Sequence, residues 1–346
     1  MNVVSSITHE STPVSMPLVE PGPNAAFYVV MNAGSGHAET ALRESTIRDV
    51  LAAAGRTCHL ELVDDPEELC DIARRMAALA KENGGVVVAA GGDGTINTVA
   101  HEAVRQGCLF GVLPQGTFNY FGRTHGIPED LTEAVRALLD ARVTPVQIGM
   151  VNDRIFLVNA SVGLYPQLLE AREEDKRQYG RSRVVAIFSA LKTALGRYRP
   201  LRIALDSEGI TRKLRTPTLF VGNNRLQMEQ VGMAPMGIAL EEGELAAIAP
   251  RPVGKLGMLG LMLRGALGRL GDADNVVAFS FKRLTVKHAR LSPRRRLKVA
   301  TDGEVTKMEM PLTFRVVEGR LMLLKPAART ASAAGLSGLS SQRPHC

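Results

Sequence analysis

The chain has 346 residues, of which 45% are hydrophobic and 4% aromatic, and it carries a net charge of +7. This length allows one large or two medium domains, and so few aromatic side chains argue against stacking on single-stranded nucleic acid. The basic balance favours anionic partners such as nucleotide phosphates or an acidic membrane face. Four cysteines without metal-ligand spacing are typical of reduced thiols in a cytoplasmic protein.

The first half of the chain alternates between strand and helix patterns. Strand patterns occupy 25–32, 56–63, 85–90 and 109–114, and helical patterns occupy 38–54, 65–84, 95–105 and 129–141. Strands separated by helices predict a parallel sheet that is covered on both faces.

The pattern changes near residues 145–150. Short alternating segments beyond that point predict a mainly antiparallel sheet or sandwich; they lie at 146–150, 154–159, 201–206, 213–222, 244–249, 276–286, 296–301 and 313–317. Helical insertions are predicted near 166–197 and 252–270. Residues 1–24 and 328–346 have the composition of disordered tails, and no apolar run reaches the ~18 residues of a membrane span.

A glycine-rich turn follows the strand predicted at 85–90. Its sequence is Gly91-Gly92-Asp93-Gly94-Thr95, and a helix begins directly after it. Free amides at a helix start, approached closely across glycines, form a cradle for phosphate. Asp93 is unusual there, because a carboxylate repels phosphate unless a cation lies between them or it handles a proton. The alternative is a plain Asp-Gly turn whose carboxylate caps the helix.

Two further loops follow the first and fourth predicted strands. They read "NAGSG" at 32–36 and "LPQGTFN" at 113–119. Because the loops at the carboxyl ends of parallel strands share one crevice, we expect all three loops to converge on one nucleotide.

Four motifs in order resemble those of the diacylglycerol kinase catalytic-domain family, which includes the bacterial diacylglycerol- and sphingosine-kinase-like lipid kinases of the NAD kinase-like superfamily. They are "NAGSG", "GGDGTIN", "LPQGTFNYFGRTHGIP" and "TDGE". The resemblance implies an α/β domain with a parallel sheet, as in NAD kinase and phosphofructokinase, and a mainly antiparallel β-sandwich-like second domain. We therefore expect a nucleotide-binding domain at 25–148 and a β-rich lipid-substrate domain at 149–327, whose last strand is free to return to the first domain.

The resemblance further implies an ATP-dependent lipid kinase that uses Mg²⁺ and phosphorylates a diacylglycerol-like or sphingoid-like hydroxyl. The positions that it places at the nucleotide are Asn32, Gly34, Gly91, Gly92, Gly94, Thr95, Asn97, Gly116 and Thr117. Two alternatives stay open. One is an NAD kinase or other small-molecule kinase, and the other is a catalytically silent nucleotide-binding module.

Two late acids flank Gly303. Residues two apart on an extended segment share a face, so Asp302 and Glu304 can look into one cleft. Phosphoryl transfer needs a group that orients and deprotonates the acceptor hydroxyl. The resemblance makes Glu304 the expected proton acceptor and Asp302 its partner, with Asp93 as the rival base or as a Mg²⁺ ligand. A hairpin turn with a solvated glutamate is the plain alternative.

The segment "GIALEEGELAAI" at 237–248 resembles a family loop that holds a structural Mg²⁺. The matching groups are the carboxylate of Glu242 and the carbonyls of Ala239 and Glu244, and an acidic surface turn is the alternative. The chain departs from the family at Tyr120 and Gln147, where acids of the active-site metal network are usual. Their loss should weaken Mg²⁺ binding, because hard cations need charged oxygen ligands.

Leucines recur at helical spacing in the segment 251–270, with cations beside them. They are Leu256, Leu259, Leu263, Leu267 and Leu270, with Lys255, Arg264 and Arg269. This pattern predicts either an interfacial helix on acidic lipid or a core-packed helix with solvated cations.

A second group of cations precedes the acid pair: Arg294, Arg295, Arg296 and Lys298. These side chains either hold an anionic headgroup or form a solvated strand edge. We expect a lipid substrate at an anionic membrane surface, no nucleic acid, and a cytoplasmic location that extends to the inner face of the membrane. A homodimer is an open alternative.

Overall fold

The computed structural model describes residues 20–33, 37–170, 200–207, 209–289 and 296–327. Several sequence predictions lie outside these residues: most of both predicted tails, Gly34, most of the 166–197 insertion, Arg294 and Arg295.

The first half forms the predicted parallel α/β unit. Its strands lie side by side in the order β2-β1-β3-β4: β1 (Phe27–Asn32), β2 (Cys58–Val63), β3 (Val86–Gly91) and β4 (Leu109–Pro114). Its helices are α1 (His37–Ala53), α2 (Leu69–Glu82), α3 (Asp93–Gln106), α4 (Tyr120–Thr124) and α5 (Leu131–Leu139). Strand β3 is buried throughout, which explains its continuous apolar sequence. The short helix α4 was not predicted.

The second half is a two-layer β structure with antiparallel pairing, as predicted. Its strands are β5 (Ala141–Val151), β6 (Arg154–Phe156), β7 (Asn159–Gly163), β8 (Leu201–Ser207), β9 (Ile210–Thr216), β10 (Thr218–Gly222), β11 (Leu245–Pro250), β12 (Val276–Phe281), β13 (Arg283–His288), β14 (Arg296–Thr301), β15 (Glu304–Glu309) and β16 (Leu312–Pro326). Its labelled helices are α6 (Arg225–Gln230), α7 (Ala234–Glu241) and α8 (Lys255–Ala266). Helices α6 and α7 were not predicted.

One layer is a six-stranded sheet in the order β12-β11-β10-β7-β14-β15. The facing layer is built around β13, β8 and β9, and the apolar core between the layers includes Phe156, Val162, Leu219, Leu284 and Phe314, all fully buried. Alternate residues of each strand face this core, because successive side chains of a strand point to opposite faces.

Strand β16 connects the two halves. Its first residues pair with β13, and its later residues pair with β5 and, at Leu323, with β4. One ten-stranded sheet therefore runs through both halves of the molecule. The expected domain boundary between residues 148 and 149 lies inside β5. Within the described part of the chain, no helix is long and apolar enough to cross a membrane.

Candidate active site at the start of helix α3

The first turn of α3 presents backbone amides without a capping side chain. Strand β3 ends at Gly91, and Gly92 adopts an extended conformation as the N-cap residue, with no side-chain hydrogen bond to the helix. The first amides of a helix have no intrahelical acceptor and carry the positive end of its dipole. This end of α3 is therefore suited to binding an anion such as phosphate.

The loops that follow β1, β3 and β4 touch one another at this point. Asn32 Nδ2 donates to Thr95 Oγ1 at 3.3 Å, and the backbone amide of Gln115 donates to the carbonyl of Gly91 at 2.8 Å. The loops share one edge of the sheet because they leave the carboxyl ends of neighbouring parallel strands. The described residues of all three loops thus surround the start of α3.

The third loop approaches the glycine turn so closely that side chains are excluded. A Cβ on Gly116 would lie 2.9 Å from the Cα of Gly92 and 2.9 Å from Asn119 Oδ1. Asn119 Oδ1 also accepts the amide of Gly116 at 2.8 Å. The neighbouring Thr117 is exposed. The close approach therefore requires glycine at residue 116, next to an exposed threonine.

Asp93 begins α3, and its carboxylate lies near the first amides of α4. Burial raises the pKa of Asp93 above its usual value, and the nearby backbone amides of Phe121 and Tyr120 in α4 offset this only in part. Since the N-cap residue of α3 is Gly92 and no side chain caps this helix, Asp93 does not play the capping role that the sequence left open. Its Oδ1 atom is buried without a hydrogen-bond partner among the described residues, which leaves one carboxylate oxygen for a cation or a proton donor.

Asp302 is enclosed where three segments meet. Its carboxylate accepts the amides of Leu157 at 2.6 Å, Val158 at 2.9 Å and Asn159 at 2.8 Å, together with Asn97 Nδ2 at 2.6 Å. Burial raises the pKa of Asp302 to about 6, against the pull of these donors, which favour the charged form.

These contacts bear on two sequence expectations. Asn97 is 3% exposed, and its side-chain amide donates to Asp302 and to the carbonyl of Ile155. Both oxygens of Asp302 accept hydrogen bonds from the protein, which fits a positioning role for this residue. The hydrogen bond between Asn97 and Asp302 joins α3 to the β14–β15 hairpin. This connection brings Glu304, two residues after Asp302, close to α3.

Glu304 lies over the first turn of α3. Its Oε1 accepts from Thr98 Oγ1 at 3.5 Å and would lie 4.0 Å from a Cβ on Gly94, and its Oε2 accepts from Arg154 Nη2 at 3.1 Å. The carboxylate side chain is 39% exposed. An acid from the second half of the chain therefore stands, open to solvent, beside the uncapped amides of the first half.

Sequence reasoning missed two residues that hold Glu304. Thr98 lies one helical turn after Gly94, and its single hydroxyl proton is shared between the Gly94 carbonyl at 3.1 Å and Glu304 at 3.5 Å. Helical spacing from the glycine turn could have found it. Arg154 comes from strand β6, and nothing in its local sequence points to the site.

The two departures from the family pattern form neutral hydrogen bonds. Gln147 Nε2 donates to Asn223 Oδ1 at 2.8 Å and to the carbonyl of Glu244 at 3.0 Å. Tyr120 Oη donates to Gln230 Oε1 at 2.7 Å. Tyr120 connects the α/β unit to α6, and Gln147 connects β5 to the residues before α6 and β11, in both cases without placing charge there.

The groups around Glu242 do not fit a metal site. Glu242 is exposed at the end of α7, and the carbonyl of Ala239 already accepts the amides of Glu242 and Glu244. The carbonyl of Glu244 is occupied by Gln147. Among the described residues, no group of three or more His, Cys, Asp and Glu side chains could hold a metal ion. Asp93 Oδ1, which has no hydrogen-bond partner among the described residues, is an oxygen of the charged type that Mg²⁺ prefers.

A cavity of about 370 Å³ lies on the α4 side of the site, between the two halves. Its lining includes Arg123, His125, Asn224 and Arg225. His125 ends α4 and meets the ring of Phe121 edge-on, with centroids 4.6 Å apart. Burial, with a smaller contribution from Lys325, lowers the pKa of His125 from 6.5 to about 4.

This lowered pKa predicts acid destabilisation. Between pH 6.5 and about 4 the unfolded chain binds a proton that folded His125 excludes, so stability is present above pH 6.5 and is lost as the pH falls towards 4. The gap corresponds to about 3 kcal/mol of unfolding free energy. Urea unfolding of the wild type and His125→Gln at several pH values should give a difference that shrinks across this range. A constant difference would contradict the assignment. Asp302 titrates in the same range with the opposite sign, but its contribution is common to both proteins and cancels in the difference, which therefore reports His125.

Comparisons with known proteins show the family to which this chain belongs. Residues 26–151 match the family model described as "Diacylglycerol kinase catalytic domain". A protein of Klebsiella pneumoniae strain 342, named "Probable lipid kinase YegS-like", is 35% identical over 140 residues, which cover 40% of this chain and 45% of that relative. A protein of the same name from Pseudomonas aeruginosa strain UCBPP-PA14 is 31% identical over 265 residues, covering 74% of this chain and 82% of that relative. The chain belongs to the diacylglycerol kinase-like family of lipid kinases.

Solved structures support the fold of this lipid kinase. The crystal structure of a diacylglycerol kinase from Bacillus anthracis strain Sterne superposes with a TM-score of 0.60 over 87% of this chain and 97% of that chain, at 15% identity. The motifs "GGDGT" and "LPQGTFN" lie inside the matched catalytic-domain region. Glu304 and Asp302 lie beyond it and reach α3 only through the fold of the second half.

Proposed function

We propose that this lipid kinase transfers the γ-phosphoryl group of ATP to the hydroxyl of a diacylglycerol-like or sphingoid-like lipid. The observation that carries the proposal is the position of Glu304 over Gly94 and Thr98, beside the uncapped first turn of α3. The amides there suit the phosphates of ATP, and a carboxylate beside them suits the deprotonation of an acceptor hydroxyl.

Each group has one task in this scheme. The amides of the glycine turn bind and orient the transferred phosphoryl group. Glu304 accepts the proton of the lipid hydroxyl as the new oxygen–phosphorus bond forms, while the bond from the γ-phosphorus to the β,γ-bridging oxygen breaks and ADP leaves. Arg154 holds the carboxylate in place at 3.1 Å. Asp93 would hold Mg²⁺ through its free Oδ1. The metal, when bound, supplies positive charge to the phosphate oxygens.

Tight contact between the glycine loops predicts a nucleotide-specific defect. A methyl group at residue 116 would meet the backbone of Gly92 and push the third loop away from the phosphate cradle. We expect Gly116→Ala to raise the KM for ATP by about tenfold, or roughly 1.4 kcal/mol, because every phosphate contact loosens. Gly254→Ala is the matched control, since a Cβ at Gly254 meets no atom within 4 Å. Equal KM values for the two variants would refute this role.

The proposed function is tested by offering labelled ATP with a mixed lipid extract, with diacylglycerol, or with NAD. We expect label in chloroform-extractable lipid, present in the wild type and lost in Glu304→Gln. Label in NAD would instead establish a small-molecule kinase. ATP binding without label in either acceptor would establish a silent nucleotide-binding module, which the neutral Tyr120 and Gln147 would then explain.

A further inference from the structure

Helix α8 has an apolar face on each side. Met258 and Leu261 are buried against the body of the protein, whereas Leu256 is 84% and Leu263 is 59% exposed. The exposed row is Leu256, Leu259, Leu263 and Leu267, and we call it the α8 leucine row. It contributes four of the ten large hydrophobic side chains that are exposed in the described part of the chain. A soluble surface helix normally turns only its polar side to water, so this row calls for a partner.

Cations border the α8 leucine row on both sides. At about 100° per residue, Lys255 and Arg264 project to opposite flanks of the row, and both are exposed. Arg251 adds an exposed charge before the helix, and Arg269, after it, pairs with Asp272 at 3.0 Å. An apolar strip edged by lysine and arginine is complementary to the interface of an anionic bilayer, where leucines enter the acyl region and cations meet headgroup phosphates.

An apolar cavity of about 330 Å³ lies behind α8, against the outer face of the six-stranded sheet. Its lining includes Leu164, Tyr165, Phe220, Ile248, Met258 and Leu261. Strand β7 leads to it from the catalytic region: Asn159 at its start contacts Asp302, and Gly163 at its end precedes Leu164. The four steps from Asn159 to Gly163 span about 13 Å, which is within the length of one lipid acyl chain.

We propose that the α8 leucine row docks the enzyme on an anionic bilayer and that the cavity behind α8 receives an acyl chain of the bound lipid. The docking step stands on the surface of α8 alone, and only the acyl-chain step rests on the proposed function. In this arrangement the outer side of α8 enters the membrane. The inner side, with Met258 and Leu261, contacts the acyl chain of the lipid.

Vesicle flotation without nucleotide tests the docking step. We expect the wild type to float with vesicles of phosphatidylcholine and phosphatidylglycerol and to stay behind with phosphatidylcholine alone, and high salt to weaken binding. Leu256→Gln/Leu263→Gln should lose about ten- to a hundredfold in vesicle affinity. Leu42→Gln is the matched control, because Leu42 on α1 is 67% exposed and far along the chain. Equal flotation of the double variant and the control overturns the proposal.

Two further arms separate this idea from its rivals. Glu304→Gln should float like the wild type, so failure of the chemistry and failure of docking are distinguishable. On a short-chain diacylglycerol dispersed without a bilayer, the Leu256→Gln/Leu263→Gln variant should turn over like the wild type. A wild-type dimer that the double variant converts to a monomer, with vesicle affinity unchanged, would show instead that a second copy covers the row.

The acyl-chain step has its own test. Met258→Trp should raise the KM for lipid and leave the KM for ATP unchanged, and an unchanged KM for lipid overturns that step.

Discussion

Replacing Glu304 with glutamine is expected to lower the turnover number by about 10²–10⁴-fold, the usual contribution of a general base. Glutamine keeps the size of the side chain and its contacts with Thr98 and Arg154 but cannot take the proton of the acceptor hydroxyl. The KM for ATP should change little, because the amides of the glycine turn, not Glu304, bind the phosphates. Steady-state phosphorylation of diacylglycerol with labelled ATP measures both constants.

Glu309→Gln is the control for this experiment. Glu309 lies on the same strand, is 68% exposed and pairs with Arg296 at 3.0 Å, so its replacement changes the net charge equally without touching α3. We expect wild-type turnover from the control. If Glu304→Gln and Glu309→Gln turn over alike, Glu304 is not the base, and Asp93 with its free carboxylate oxygen becomes the next residue to replace.

Asp302→Ala should be among the most destabilising single substitutions in the chain, with a loss of about 3–5 kcal/mol in the free energy of unfolding. The substitution strands three backbone amides and the amide of Asn97, which all donate to the enclosed carboxylate. Buried donors without an acceptor lower the stability of the folded state, because they lose their hydrogen bonds to water and form none with the protein. Urea unfolding followed by far-UV circular dichroism gives the value directly.

Asp153→Ala serves as the matched control for Asp302. Asp153 is an exposed acid in the turn that precedes β6, and we expect its loss to cost less than about 0.5 kcal/mol, as for most surface changes. Asp302→Asn should also be severe, because its amide group would turn N–H donors towards the same amides. A loss for Asp302→Ala as small as that for Asp153→Ala would contradict the positioning role and reopen the case for Asp302 in catalysis.

The strand, glycine turn and helix at residues 86–106 were predictable because their sequence signal is local. A buried strand, a turn of three glycines and a helix start lie within one short segment, and the structure has β3 and α3 there, with α3 beginning at Asp93. The order of the neighbouring strands follows from the rules of parallel sheets. These two local rules were enough to predict that the loops carrying Asn32, Thr95 and Gln115 meet at one edge of the sheet.

The grouping of the acids was harder to predict because it depends on distant contacts. Asn97 and Asp302 are 205 residues apart in the chain, and no periodicity links them. The sequence spacing of Asp302 and Glu304 indicated that both face one cleft. In fact Asp302 adopts a positive φ of 46° and turns into the protein, so that only Glu304 reaches the open side.

Helix α6 was not predicted, although its sequence contains a signal for a helix start. Asn224 caps it by accepting the amide of Gln227, which is the usual local mark of a helix start. Helix α7 carries Pro235 and Gly237 in its short span, and Gly237 lowers intrinsic helix propensity. Its stability comes from packing of Leu240 with Met228 and Met233, and such a tertiary contribution cannot be read from the segment itself.

The most direct test of the account is a crystal structure with a non-hydrolysable ATP analogue bound. We predict that the terminal phosphate lies against the backbone amides of Gly92 to Thr95, with the carboxylate of Glu304 beside it. An analogue whose phosphates occupy the cavity next to Arg123 and Arg225 instead, remote from Glu304, would contradict the account.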